Sequence, residues 1–322
     1  MPASRHHSPA SGRPSGKSRS RPRIGLALGS GSARGWAHVG VIRALEAAGI
    51  RPDLVCGTSI GALVGAACAA GELDRFEHWL LDLGMADVLA FMDVRLNGGL
   101  IKGDRLMEFF RRNFLDRPME KLDLPLGVVA TALHTGAEVW LREGSTIDAV
   151  RASIALPALF TPVVVEGRML VDGGLVNPVP VSLARAMGAD VVIAVDLNTD
   201  LLGRHLREPP ERGETDEASA GEVSEWMRKL QENLSALMPG REEREERGPR
   251  LPSMLDVVAS SINIMQVRIS RSRMAGEPPD AIVAPKLARL GLLDFHKARE
   301  AMEEGRRAVA AALPGIREVL GD

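Results

Sequence analysis

A serine in the setting Gly57-Thr58-Ser59-Ile60-Gly61 is the residue of this chain best placed to attack a carbonyl carbon. The pattern G-x-S-x-G carries meaning when it follows a buried strand and opens a helix. The serine then sits on a sharp turn with its hydroxyl exposed, and Gly57 and Gly61 let strand and helix approach closely. Here the short apolar run Leu54-Val55-Cys56 comes before it, and Ile60 to Ala70, crowded with Gly and Ala, comes after it. Such a helix aims the positive end of its dipole at Ser59. The plainer reading of the same five residues is a strand-to-helix turn with Ser59 as an N-cap.

A second candidate feature is Gly29-Ser30-Gly31-Ser32-Ala33-Arg34-Gly35, between a first apolar run and a first helix. A loop of this kind exposes backbone N–H groups at a helix N-terminus, suited to an anion or a developing oxyanion. A dinucleotide fingerprint needs a third glycine where Arg34 stands, and an acid at the end of the second strand, where the serine turn stands instead. Arg34 either stiffens the loop, adds positive charge for a phosphate-bearing substrate, or is a plain surface arginine.

A nucleophilic serine needs a proton acceptor, most often histidine. The seven histidines are poorly placed. His6 and His7 lie in the N-terminal stretch and His205 in a polar segment, while His78 and His296 are expected in helices. His38 falls inside the first helix and His134 in a turn between two strands. An acid is better placed. Met169-Leu170-Val171-Asp172-Gly173-Gly174 ends an apolar strand on an aspartate, and the two glycines let another backbone come close. An ordinary aspartate, near ~3.9, is a feeble base. Partial burial raises that value. Taken alone, Asp-Gly-Gly is a turn.

The elements that must position these residues read as an alternation. Ile24 to Leu28 is a buried strand, Gly35 to Ala48 a helix stopped by Gly49, and a second strand and helix follow within about fifty residues of the first, the pattern of a parallel sheet covered by helices. Residues 75–122 are expected to be mostly helical, with a break at Asn97-Gly98-Gly99. Further strands are expected at Gly127 to Leu133, Glu138 to Leu141, Val163 to Val165, Met169 to Val171 and Val191 to Asp196. Ser182 to Met187 is a helix. The last seventy residues read as helices around one strand, Ala281 to Ala284. Four parts result: a disordered basic tail, 1–23; a catalytic core, 24–198; an acidic flexible insertion, 199–252; and a helical part packed on the core, 253–322. Within the insertion, Val223 to Met238 carries Trp226, Leu230, Leu234 and Met238 on one stripe. It is expected to be a lid, a partner surface, a membrane-contact helix or a helix packed on its own domain.

Composition narrows the classes. The 322 residues are 45% hydrophobic and 25% charged, with a net charge of −2, no tyrosine and 3% aromatics. Neither charge nor stacking surface favours nucleic acid. Two cysteines, Cys56 and Cys68, give no disulfide framework and suit a reducing cytoplasm. The N-terminal stretch lacks the apolar segment of a secretory signal. No apolar run reaches the ~18 residues of a membrane span.

Together, the Gly-rich loop with its Arg-Gly, G-T-S-x-G and D-G-G resemble the patatin-like phospholipase family, most closely its bacterial single-domain branch. The likeness runs from Ile24 to Asn198. It takes in Gly-Trp-Ala-His-Val-Gly-Val after the loop, Ala130-Thr131-Ala132-Leu133 and Arg151-Ala152-Ser153-Ile154-Ala155-Leu156-Pro157. It implies a three-layer α/β/α fold with a mainly parallel sheet and a nucleophile elbow. It also implies Ser59 as nucleophile, Asp172 as base, and backbone N–H groups near Gly31, Ser32 and Arg34 as the oxyanion hole. No metal or cofactor is implied. The implied substrate is a lipid acyl ester, met in the cytoplasm or at the inner membrane's surface. Gly-Ser-Gly-Ser replaces the run of glycines common in the family, which leaves the donors open. Two other readings stay open: a non-catalytic protein of the same fold that binds acyl chains or a partner, and a hydrolase with His38 or His134 beside Ser59.

Overall fold

The computed structural model describes residues 21–91, 104–113, 117–157, 159–200 and 254–321. The chain up to residue 20, the Asn97-Gly98-Gly99 break and the insertion from residue 201 onward, with its Val223 to Met238 stripe, lie outside the described residues. The strands are β1 (Ile24–Leu28), β2 (Leu54–Thr58), β3 (Leu126–Ala132), β4 (Glu138–Leu141), β5 (Val163–Val165), β6 (Arg168–Asp172), β7 (Val191–Val195) and β8 (Ala281–Val283). The helices are α1 (Ala37–Ala47), α2 (Ile60–Ala69), α3 (Leu73–Asp82), α4 (Met85–Phe91), α5 (Asp104–Asn113), α6 (Thr146–Ser153), α7 (Val181–Ala186), α8 (Met254–Gly276) and α9 (Ala298–Leu320).

All eight strands join one sheet in the order β5-β6-β3-β2-β1-β7-β8, with β4 paired to β3 off that path. β3, β2, β1, β7 and β8 run parallel, while β4 and β6 run against β3 and β5 against β6. β1, β2 and β7 are buried at every position, as strands covered on both faces must be. Successive side chains alternate between those faces. Leu26 and Leu28 pack with Val39 and Ile42 of α1, Leu63 of α2, Val150 of α6 and Val309 of α9. Ala27 and Cys56 pack with Val181 and Leu183 of α7, against which Met274 of α8 is half-buried. The result is three layers, helices on each side of a mainly parallel sheet.

Two local features govern the rest. α1 stops where Gly49 takes φ +79°, with Ile50 N–H donating back to Leu45 O at 2.9 Å, a left-handed cap that glycine adopts without strain. α1 and α9 then pack backbone to backbone. A Cβ built on Gly40 would lie 1.8 Å from Met302 O, and one on Gly305 2.2 Å from Ala37 O. The C-terminal part thus contributes both a strand and an interlocked helix. The first helix is preceded by a short 3₁₀ turn, Ser32–Trp36, and His296 sits in a turn before α9 rather than in a helix.

Candidate active site

β3 sets the register of the site. Val129 pairs with Thr58, the residue before the serine, and the next residue, Ala130, pairs with Asp172. Ser59 then turns sharply, with φ 56° and ψ −123°, a conformation that costs an L-residue of order 1–3 kcal/mol and persists only when its surroundings hold it. Ser59 N–H donates to Ser153 Oγ at 2.8 Å, and Ser153 Oγ–H donates to Val129 O at 2.6 Å. α2 closes down on the first strand at the same point: a Cβ on Gly61 would lie 2.2 Å from Leu28 O.

Asp172 is 1% exposed. Its Oδ2 accepts from Ser59 Oγ–H at 2.5 Å and its Oδ1 from Gly174 N–H at 2.7 Å. The backbone is held as well, since Asp172 N–H donates to Ala155 O at 3.0 Å and Asp172 O accepts from Thr131 Oγ1 at 2.8 Å. Burial pushes the carboxyl up to about 6, against the opposing effect of the hydrogen bonds from Ser59 and Gly174. The pair therefore joins a serine hydroxyl to an acceptor that is ionised at neutral pH and more basic than an ordinary aspartate.

Both residues open into a cavity whose lining also includes Gly31 and Ser32. Its walls are apolar, with Leu63, Trp79, Phe110, Ile154, Leu159 and Phe160 among them. The few aromatics concentrate here. Trp36, Phe76, Trp79, Phe109, Phe110 and Phe295 form a chain of ring contacts with centroids 5.2 to 6.4 Å apart.

The Gly-rich loop is pinned at three N–H groups: Gly29 to Val195 O, Ser30 to Pro178 O and Ala33 to Leu292 O. Those of Gly31 and Ser32 have no such partner among the described residues, and Ser32 is held at φ 52°. Arg34 is off the cavity lining. Its side chain is 2% exposed, with Nε donating to Gly31 O at 3.2 Å and Nη2 to Asn263 Oδ1 at 3.1 Å. Burial lowers it to about 10, with Asp200 opposing, so it is still a cation at neutral pH. It stiffens the loop from inside and is no surface arginine.

The histidines stand apart. His38 is buried, with Nε2 2.7 Å from Gly29 O, and burial lowers it to about 4. It is a neutral ring whose Nε2–H serves a carbonyl. His134 is exposed in the turn between β3 and β4. Ser153, Asn263 and Gln266 were not singled out from sequence. Ser153 at least lies within the Arg151 to Pro157 stretch, whereas Asn263 and Gln266 are polar residues on a distant helix with no motif around them.

A fold of this kind with a serine elbow defines a class, and comparison with known proteins gives the family. Residues 26–185 match the family model described as patatin-like phospholipase. An NTE family protein of Mycobacterium tuberculosis is 31% identical across 91% of this chain and 92% of its own length. Patatin-like phospholipase domain-containing protein 6 of Homo sapiens is 37% identical over 55% of this chain, which is 13% of that protein. Lysophospholipase nte1 of Emericella nidulans is 35% identical over 55% of this chain and 12% of its own length. The chain belongs to the patatin-like phospholipase family, and by class it is a lipid hydrolase.

Proposed function

We propose that the chain is a serine acyl-ester hydrolase that cleaves fatty-acyl esters of phospholipids or lysophospholipids through Ser59 and Asp172. The observation that carries this reading is the 2.5 Å hydrogen bond from Ser59 Oγ to a buried Asp172 at the edge of an apolar cavity. Ser59 Oγ attacks the ester carbonyl carbon as its proton passes to Asp172 Oδ2. The carbonyl oxygen becomes an oxyanion beside the N–H groups of Gly31 and Ser32. Collapse breaks the bond to the alcohol, which leaves with the proton from Asp172. Water then gives a proton to Asp172 and attacks the acyl-serine, and the fatty acid departs as Ser59 recovers its hydrogen. The apolar walls suit an acyl chain, as ligand sites built from a few polar groups in an apolar cleft do. The phospholipase and lysophospholipase names of the relatives supply the glycerophospholipid part of the proposal. Access from a lipid surface belongs to the same proposal. Among the described residues, no helix is long and apolar enough to cross a membrane.

The test is a fluorophosphonate probe followed by mapping of the modified residue, together with hydrolysis of p-nitrophenyl esters. Labelling at Ser59 and a silent Ser59→Ala protein are expected. Turnover retained by Ser59→Ala defeats the reading.

A further inference from the structure

The two halves of the catalytic centre, the Gly-rich loop and the turn after Asp172, are bridged by a helix outside the matched residues 26–185. Gln266 of α8 is buried. Its Oε1 accepts from Ser30 Oγ at 3.2 Å, on the Gly-rich loop. Its Nε2 lies over the other half: a Cβ built on Gly174 would sit 2.5 Å from Gln266 Nε2 and 2.9 Å from Asp172 Oδ1. Glycine at 174 leaves the room that the amide occupies. About one turn earlier on the same helix, Asn263 Oδ1 accepts from Arg34 Nη2 at 3.1 Å. Arg34 Nε in turn holds Gly31 O at 3.2 Å. That carbonyl shares its peptide plane with Ser32 N–H, so fixing one fixes the other. Gln266 and Asn263 both line the cavity with Ser59 and Asp172.

We propose that Gln266, supported by Asn263, is a positioning residue for acyl transfer, setting the distance between the oxyanion loop and the Asp172 turn. The inference rests on the Ser59–Asp172 reading. Gln266 acts through Ser30 and the Gly174 turn, not on the scissile bond. Donors for a developing oxyanion must be in place before reaction, and a misplacement of about 1 Å costs up to about 100-fold in rate.

The experiment uses the full chain with p-nitrophenyl butyrate and a fluorophosphonate. Gln266→Leu is expected to lower kcat by about 10- to 100-fold, hold KM within about twofold and slow Ser59 labelling in proportion. Ser30→Ala, which removes the same hydrogen bond, is expected to lower kcat too. The double variant is expected to lose no more than the worse single one, as coupled residues do. Wild-type kcat in Gln266→Leu, or a raised KM with kcat intact, overturns the proposal. If Gln266→Leu fails to fold, Ser30→Ala decides: unchanged kcat overturns the proposal, and lowered kcat at constant KM supports it. An inactive wild type, or an active Ser59→Ala, defeats the dyad reading and this proposal with it. An active wild type with a silent Ser59→Ala and unaffected Gln266 and Ser30 variants defeats this proposal alone.

Discussion

A carboxylate kept from water is costly to ionise, and Asp172 is the residue where that cost and the proposed chemistry meet. Its carboxyl is raised from 3.8 to about 6, first by burial. As the proposed base it must be ionised, so turnover is expected to rise with pH through about 6 and to fall away below it, measured as kcat/KM on a soluble ester. Stability moves the other way. The folded state binds a proton more tightly than the unfolded one, so this group favours folding below its unfolded value, and that contribution is lost as pH rises through about 6. Each unit is worth about 1.4 kcal/mol, so above neutrality the ionised carboxylate costs the fold up to about 3 kcal/mol. Asp172→Asn is therefore expected to be inactive and yet to melt higher than the wild type at pH 8, a pairing that calorimetry and an ester assay check together. At this scale the sequence was informative where a residue announced itself by its neighbours. Ser59 sat between glycines after an apolar run, and Asp172 before two glycines. Stiffening of the loop was one of three readings open for Arg34, and the sequence did not decide among them, because its partner Asn263 lies 229 positions away.

The elbow between β2 and α2 shows how an element stores what a residue needs. Ser59 holds a positive φ only because neighbours occupy its backbone, and Ser153 is one of them. Ser153→Ala removes the acceptor for Ser59 N–H and the donor to Val129 O, each an unsatisfied buried group worth about 1–3 kcal/mol. The variant is expected to unfold at lower urea and to lose kcat, read from denaturation curves and turnover on the same preparation. Gly61→Ala is expected to be worse, since the added methyl meets the backbone of Leu28 at 2.2 Å rather than a movable side chain. The strands of this region were readable as apolar runs because they are buried on both faces. Their pairing was not. The step from Val129 to Ala130 that brings Thr58 and Asp172 to neighbouring positions is a matter of register between distant segments. No local pattern encodes it.

Over the whole molecule, the division suggested by composition meets a sheet that continues past it. β8 pairs with β7, and α9 sits against α1 through glycines at 40 and 305. From sequence these last residues read as helices around one strand, packed on the core, but no motif shows which strand or helix they meet. What they do depends on contacts that span nearly the whole chain. Gly305→Leu is expected to destabilise by at least the ~1–3 kcal/mol typical of overpacking, seen as a lower melting temperature with little change in kcat per folded molecule.

The bond between Ser30 and Gln266 joins positions 236 residues apart, and that separation has a temporal meaning. Synthesis runs from the N-terminus at roughly 5–20 residues per second. A growing chain therefore carries Ser59 and Asp172 for several seconds before α8 has been made. Through that interval the proposed nucleophile has its proposed base but no finished chamber, and a ribosome-bound chain halted before residue 254 is expected to ignore the fluorophosphonate that labels the released protein. On the proposed reading, the order of synthesis withholds the reactive site until α8 has been made.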